Sequence, residues 1–226
     1  MENLYKELRS FFANDMDLND LFDSEAIIWI DWREYDEDVV NYFNDMMDEP
    51  IDIQIVSNGK PYGDDIVLKN GNKELQIPYG DEQDRDVTIK YFNDFVKPDY
   101  EVRWFTESLG NDTLGFTVLS GAEWAKLNDE FGEDVIRYYF EPIDFESDMF
   151  NLGMDEVFAL LALRENSEGV NTQFSTQLDW IRIINKEKTL AEQKENGQID
   201  LKQYMVAKKE LQQSKDDFIA AHGPMK

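Results

Sequence analysis

The sequence predicts an α+β protein with a mostly antiparallel sheet of about six strands, packed helices and a C-terminal helical hairpin. Three observations predict this class. Some short segments alternate apolar and polar residues, others repeat apolar residues every three or four positions, and tight-turn signals such as Asn70-Gly71 separate several of them. The 226 residues, 42% of them hydrophobic, are enough for one good core and an appendage.

In the first half of the chain, predicted helices alternate with predicted strands. Apolar residues on one helical face predict helices at residues 2–12, 36–47 and 86–96. Pro50 and Pro98 stop the last two helices. A continuous apolar run at 26–30 predicts a buried central strand, and alternating isoleucines at 51–55 predict a half-buried strand.

Two hairpins are expected next. Segments 66–69 and 73–77 flank Asn70-Gly71, the strongest two-residue hairpin signal in the chain, because both turn positions need a positive φ. Residues 100–106 and 113–119 form the second hairpin. We expect the helices to pack on one face of the resulting sheet.

The second half of the chain is predicted to be mostly helical. Ser120 and Glu123 have the spacing of a capping box ahead of an apolar helical face. Pro142 ends a second helix, and an apolar segment predicts a third that is buried. With the two helices of the C-terminal hairpin, the predicted ranges after the capping box are 134–140, 154–163, 173–195 and 201–221.

Charge divides the chain into two parts. The first 165 residues contain 13 basic and 40 acidic residues and so carry the whole net charge of -27, whereas residues 166–226 contain nine of each. Turn-forming residues cluster at 166–172. We therefore expect an acidic α+β domain at 1–165, a linker at 166–172 and a helical hairpin tail at 173–226.

The composition excludes several kinds of chemistry. The chain has no cysteine, which excludes disulfides, thiolate catalysis and cysteine-based metal sites. Its one histidine, His222, lies near the end of the chain, where a Ser-His-Asp triad is not expected. Glycine-rich phosphate loops are absent. We expect no catalytic residue, cofactor or transition-metal site, although an enzyme built on carboxylates and Mg²⁺ stays open.

Two acidic clusters have residue types that could bind a cation. The first has the spacing of a calcium loop, but Asp20 and Ala26 occupy the positions that need glycine and glutamate, which favours a helix end and an acidic turn. The second precedes a predicted helix, whose N-terminus favours carboxylates without any ligand. The first cluster is Asp15, Asp17, Asn19 and Asp23, and the second is Asp81, Glu82, Asp84 and Asp86.

Two loops are candidates for partner binding. Residues 31–38 follow a predicted strand and combine carboxylates with Trp32 and Tyr35, which are typical interface anchors. The alternative is a strand–helix loop with Asp36 as the helix cap and Trp32 in the core. Residues 108–113 are either a binding loop or a hairpin turn. The predicted partner-binding residues are Asp31, Trp32, Tyr35, Asp36, Asp84, Asp86, Asn111 and Asp112.

The tail segment 195–211 resembles the SHOCT-type short C-terminal helical hairpin. The matching positions are Gly197, Ile199, Asp200, Tyr204, Lys208 and Leu211, while Gln203 replaces the usual acidic residue. Such modules are thought to mediate oligomerisation or docking. The resemblance therefore implies a homo-oligomer formed through Ile199, Tyr204 and Leu211.

The acidic N-terminal part loosely resembles bacterial α+β immunity proteins, which neutralise a toxin by covering it. The resemblance rests on the overall layout, on Asp31-Trp32 and on residues 108–113. It implies a non-enzymatic protein-binding module and no chemistry of its own.

The net charge favours the same function. A charge of -27 attracts basic proteins and repels nucleic acid and anionic membranes. The sequence also lacks a secretory signal and an apolar run of ~20 residues. We expect a cytoplasmic bacterial immunity protein or antitoxin with a basic, nuclease-like partner. The alternatives are a phage-type DNA mimic, a carboxylate–Mg²⁺ enzyme, and a charge that serves only solubility.

Overall fold

The structure is a computed structural model that describes residues 2–60, 63–166 and 172–225. Its contacts form two compact units, Met1–Asn151 and Leu152–Lys226, called here the N-terminal and C-terminal units. This division lies before the boundary that the charge pattern predicts after Glu165. Most of the predicted linker, residues 167–171, lies outside the described residues.

The N-terminal unit confirms the α+β class and most of the predicted elements. Two short elements, α2 and β7, were not predicted. In chain order the unit contains α1 (Glu2–Phe12), α2 (Leu18–Phe22), β1 (Ile28–Asp31), α3 (Asp36–Asp45), β2 (Asp52–Val56), β3 (Asp65–Asn70), β4 (Lys73–Gln76), α4 (Arg85–Val96), β5 (Tyr100–Phe105), β6 (Thr113–Ser120), α5 (Gly121–Phe131), α6 (Glu133–Tyr139) and β7 (Phe140–Pro142).

The seven strands of the described residues form two antiparallel sheets. The larger has the order β1-β6-β5-β7 and the smaller has the order β2-β3-β4. Both predicted hairpins are confirmed, and Gly71 in the β3–β4 turn has a positive φ of 57°. The expected turn positions are wrong by one residue, because Asn70 ends β3 without a positive φ and pairs with Lys73, which leaves Gly71 and Asn72 in the turn. The prediction of a central strand near residues 26–30 is wrong, because β1 lies at an edge of the larger sheet.

Helices cover both faces of the larger sheet, so the expectation of one covered face is wrong. On one face, Phe116 of β6 lies 5.8 Å from Phe43 of α3, measured between ring centroids. On the other, Phe105 of β5 belongs to a buried cluster that includes Leu8 of α1 and Trp124 of α5. The physical reason is that β5 and β6 are the two inner strands of the sheet and are buried on both faces, although one face of β5 carries Glu101 and Arg103.

The C-terminal unit consists, in its described residues, of α7 (Met154–Asn166), α8 (Phe174–Glu195) and α9 (Leu201–His222). The predicted helical hairpin is confirmed. Gly197 turns the chain with a φ of 68°, and Asp200 and Gln203 form a capping box at the start of α9. The expectation that α7 is a buried helix is wrong: Leu160 is its buried side chain, while Met154 and Phe158 are exposed.

Within the described ranges, no helix is both long enough and apolar enough to cross a membrane.

Candidate functional site

The loop between β1 and α3 presents two aromatic side chains to solvent. The Asp31 carboxylate accepts a hydrogen bond from the backbone N–H of Arg33 at 2.8 Å, which tightens the turn. This bond and those from the Arg33 side chain lower the pKa of Asp31. Trp32 and Tyr35 are 63% and 71% exposed, so Trp32 does not lie in the core.

Arg85, at the start of α4, holds this loop in place. Its Nε donates to Asp36 Oδ1 at 2.6 Å, its Nη1 donates to the Asp31 carbonyl at 2.6 Å, and its Nη2 donates to the Glu34 carbonyl. The guanidinium also lies 5.4 Å from the centre of the Phe150 ring. The side chains of Arg85 and Asp36 are only 12% and 4% exposed. Arg85 therefore holds both ends of the aromatic loop, one end through its ion pair with Asp36 and the other through its hydrogen bond to the Asp31 carbonyl.

The neighbouring carboxylates Asp84 and Asp86 make internal hydrogen bonds. Asp84 caps α4 by accepting from the N–H of Val87 at 3.1 Å. Asp86 accepts from the backbone N–H groups of residues 149–151 at 2.9–3.2 Å and is 1% exposed. Burial raises the pKa of Asp86, while these hydrogen bonds oppose the rise. Asp84 thus stabilises the start of α4, and Asp86 fixes residues 149–151 against this helix.

All eight predicted partner-binding residues belong to the N-terminal unit, but Asp36 and Asp86 are only 4% and 1% exposed, so neither can contact a partner directly. Four belong to the β1–α3 loop and α3, and Arg85 joins Asp84 and Asp86 to them. The β1–β6 register pairs Asp31 with Thr113, which puts Asn111 and Asp112 at the same end of the sheet. Asn111 and Asp112 are exposed in the turn that leads from β5 into β6. Their role in binding a partner stays a prediction.

A groove that the sequence did not reveal lies beside Tyr35, and we call it the Tyr35–Ile55 groove. Its volume is about 460 Å³. Ile55 on β2 forms one side and is 43% exposed, although the alternating pattern of its strand predicts a half-buried position. The residues that line the groove are Tyr35, Glu37, Asp38, Ile55, Lys60, Gly63 and Asp64.

Glu37 holds one wall of the groove in place with one carboxylate oxygen, while its other carboxylate oxygen has no donor among the described residues. Its Oε1 accepts from the backbone N–H of Asp64 at 3.0 Å and from Gln83 Nε2 at 3.2 Å. Gln83 also donates to the Asp64 carbonyl at 2.8 Å. Glu37 Oε2 is buried and has no hydrogen-bond partner among the described residues. A carboxylate oxygen in this state favours a cationic or N–H donor close to the groove.

The acidic clusters considered as cation sites have structural roles where the structure describes them. In the described ranges, no three histidine, aspartate or glutamate side chains are placed to share a metal ion. Asp17 caps α2 by accepting from the backbone N–H of Asp20 at 2.9 Å. The segment that resembled a calcium loop therefore contains a short capped helix.

The predicted oligomerisation residues lie in the C-terminal unit. Ile199, Tyr204 and Leu211 are half-buried. The Tyr204 ring contacts the ammonium group of Lys194 at 4.4 Å, and Leu211 lines a groove of about 600 Å³ between α8 and α9. The more exposed apolar side chains at the start of α9 are Leu201, Met205 and Val206.

Comparisons with models of protein families, with curated proteins and with solved structures found no match to this chain. The likeness of residues 195–211 to a SHOCT-type hairpin therefore stays a prediction. Any functional inference has to come from the surface of this chain.

Proposed function

We propose that the chain is a non-enzymatic protein-binding module that covers a basic, nuclease-like partner in the manner of a bacterial immunity protein or antitoxin. The observation that carries the proposal is the anchored loop that exposes Trp32 and Tyr35 within an acidic surface. We place this interaction in the cytoplasm, which agrees with a sequence that contains no cysteine.

The aromatic loop is already ordered in the free protein. Arg85 donates hydrogen bonds to both ends of the loop, so binding would need little ordering of the backbone there. Buried tryptophan and tyrosine anchors often contribute about 2 kcal/mol or more each at protein interfaces. Trp32 and Tyr35 are therefore suited to be the energetic centre of an interface.

The surrounding charge selects the partner. The N-terminal unit contains 37 of the 49 acidic residues and 12 of the 22 basic residues. Such a surface speeds the encounter with a basic protein, and salt screens the attraction over about 8 Å at physiological ionic strength. The DNA-mimic alternative also has a protein partner, but it needs carboxylates spaced like phosphates along one face. The exposed aromatic side chains and the apolar wall at Ile55 favour an interface with an apolar centre instead.

The test is affinity capture from the native host, with the full-length chain as bait. We expect wild type to retain a basic protein and the double variant Trp32→Ala/Tyr35→Ala to lose it, with affinity at least about tenfold lower. Mass spectrometry identifies the retained protein. Surface plasmon resonance then measures the association rate, which we expect to fall steeply as salt rises.

Phe145→Ala is the matched control for this experiment. Phe145 is another exposed aromatic residue of the N-terminal unit, at 49%, and it does not line the Tyr35–Ile55 groove. Its replacement should leave capture unchanged. An acidic partner, or equal capture by wild type and the double variant, would show that the proposal is wrong.

We also propose that the C-terminal unit holds copies of the chain together. Leu201, Met205 and Val206 present apolar surface at the start of α9. The unit contains 12 acidic and 10 basic residues, so two copies would repel each other little there. The N-terminal units, in contrast, repel each other strongly.

A further inference from the structure

We infer that the free edge of β2 is a strand-addition site, at which an extended, basic segment of the partner pairs with β2 and continues the three-stranded sheet. The inference rests on the proposed function and specifies the form of the partner segment. Strand addition is a recurring way for a sheet edge to bind a peptide, with main-chain hydrogen bonds supplying affinity.

The backbone of β2 is open on one side. Within the part of the chain that the structure describes, strand β2 is the end strand of the smaller sheet and pairs with β3 alone. Among the described residues, no other hydrogen bond reaches the backbone of Asp52–Val56. Half of its N–H and C=O groups therefore point away from the sheet without a partner strand.

The two edges of this sheet differ in their protection. Natural edge strands are usually blocked by lysine, proline or a bulge. The opposite edge strand, β4, begins with Lys73 and Glu74, which protect it. Strand β2 reads Asp-Ile-Gln-Ile-Val, with neither lysine nor proline. Strand β2 is therefore an edge strand without the residues that usually block pairing with a further strand.

The side chains of β2 point to a missing neighbour. The register pairs Ile55 with Ile66, which is completely buried, so the two side chains lie on the same, core-facing side of the sheet. Ile55 is nevertheless 43% exposed, and among the described residues no strand lies beyond β2. A strand added at this edge would cover Ile55 with one of its own apolar side chains.

The charge around the edge specifies the polar residues of the added strand. Asp52 begins β2, and Asp38 and Asp64 line the groove at its other end. Glu37 Oε2 lacks a hydrogen-bond partner within the described chain. Lysine or arginine at alternate positions would meet Asp38, Asp52 and Asp64, whereas Glu37 Oε2 is buried below the surface. A second copy of β2 is the less suitable occupant, because it would bring another strongly acidic N-terminal unit to the same place.

The experiment uses the full chain and two synthetic peptides of ten residues with blocked ends. One peptide alternates valine and lysine, and the other alternates valine and glutamate. NMR-detected hydrogen exchange is measured at each backbone amide of β2. We expect the lysine peptide at saturation to slow exchange at the outward-facing amides by about tenfold or more, and the glutamate peptide to have no effect.

Two variants with the same charge change test the location of the site. Ile55→Lys places a lysine at the edge, which should block strand addition and weaken binding of the lysine peptide by at least about tenfold. Asn72→Lys adds the same charge in the exposed β3–β4 turn and should leave binding nearly unchanged.

The outcomes separate this inference from the proposed function. If the lysine peptide binds but slows exchange only around Trp32 and Tyr35, strand addition is wrong and the proposed function stands. If the lysine peptide does not bind, or Ile55→Lys binds it as wild type does, strand addition is also wrong. The proposed function is then decided by the capture experiment alone.

Discussion

At the scale of single residues, adjacent side chains of α4 organise two distant segments. Arg85 reaches the β1–α3 loop, and Asp86 reaches the backbone of residues 149–151. The sequence identified Asp84 and Asp86 as carboxylates at a helix start, and the capping part of that interpretation applies to Asp84. It could not show that Asp86 binds N–H groups more than sixty positions away, because those donors carry no local signal.

The first prediction concerns the buried pair of Arg85 and Asp36. Arg85→Met removes the partner of a carboxylate that is 4% exposed, and leaving such a charge unpaired costs about 3–5 kcal/mol. We expect the free energy of unfolding to fall by that amount in urea titrations. Binding through Trp32 should weaken as well, because the loop loses its donors.

Two variants control this prediction. The double variant Arg85→Met/Asp36→Leu removes both charges and should recover most of the lost stability. Arg33→Ala breaks an ion pair whose arginine is 67% exposed, and should lower stability far less than Arg85→Met does. If Arg85→Met costs no more than Arg33→Ala, the pair does not anchor the loop.

The second prediction is a dependence of stability on pH. Burial raises the pKa values of Asp36 and Asp86 above their ordinary value of 3.8. At pH values between 3.8 and the raised pKa, these carboxyl groups bind more protons in the folded state than in the unfolded state. The contribution of these groups to stability is therefore complete below 3.8 and is lost as the pH rises through the raised pKa.

Asp86→Asn tests this dependence, with unfolding free energies measured across the mildly acidic range. The variant removes one of the two groups, so its slope against pH should be shallower by up to about 1.4 kcal/mol per pH unit. Asp94→Asn removes an exposed carboxylate from the same helix and is the matched control for the lost charge. Identical slopes in wild type and Asp86→Asn would contradict the prediction.

At the scale of elements, the sequence predicts best where a local signal marks the boundary. Asn70-Gly71 marked the β3–β4 hairpin, and Ser120 with Glu123 marked the start of α5, where the structure has a complete capping box. Asn196-Gly197 marked the end of α8. Each of these signals depends on backbone φ values or cap hydrogen bonds within a few residues.

The arrangement of elements was harder to predict, because it depends on pairs that are far apart in the chain. Strand β1 pairs with β6, and β7 pairs with β5, so neither neighbour could be identified from periodicity. The elements α2 and β7 have five and three residues, which is too short to show a period.

The candidate site was predictable in part for the same reason. Residue type alone marks Trp32 and Tyr35 as candidate interface anchors, and that role stays a prediction. The conformation of their loop could not be read locally, because Arg85, which donates to the Asp31 carbonyl, lies 54 positions away in the chain. The alternating isoleucines predicted the strand that contains Ile55. They did not show that this strand lies at an open edge, and so the Tyr35–Ile55 groove was missed.

At the scale of the whole molecule, charge and packing divide the chain at different places. The acidic part of the sequence extends to Glu165, but α7 belongs to the C-terminal unit. Within that unit Glu156 of α7 pairs with Arg182 of α8 at 3.0 Å, and Leu160 is completely buried. The charge of a segment indicates whether its surface is acidic or neutral, whereas its buried side chains determine which unit it packs in.

The last prediction is that the C-terminal unit is responsible for self-association. We expect the full chain to sediment as a dimer or larger species at tens of micromolar. A chain that ends at Gly153 should stay folded and monomeric, because it keeps the N–H groups that hold Asp86 and loses the exposed apolar residues of α9. Near-UV circular dichroism checks the fold, and sedimentation velocity measures the mass.

Two further chains make this prediction specific. Met205→Glu adds a charge to an exposed apolar position of α9 and should weaken the dimer without unfolding the chain. Lys202→Glu changes a nearby exposed position that is not apolar, and as the control it should leave the dimer intact. A chain that ends at Glu165 keeps α7 but removes α8, so Leu160 should become exposed and bind a hydrophobic dye. A full chain that is strictly monomeric at these concentrations would leave the apolar start of α9 without a role in assembly and would contradict the prediction.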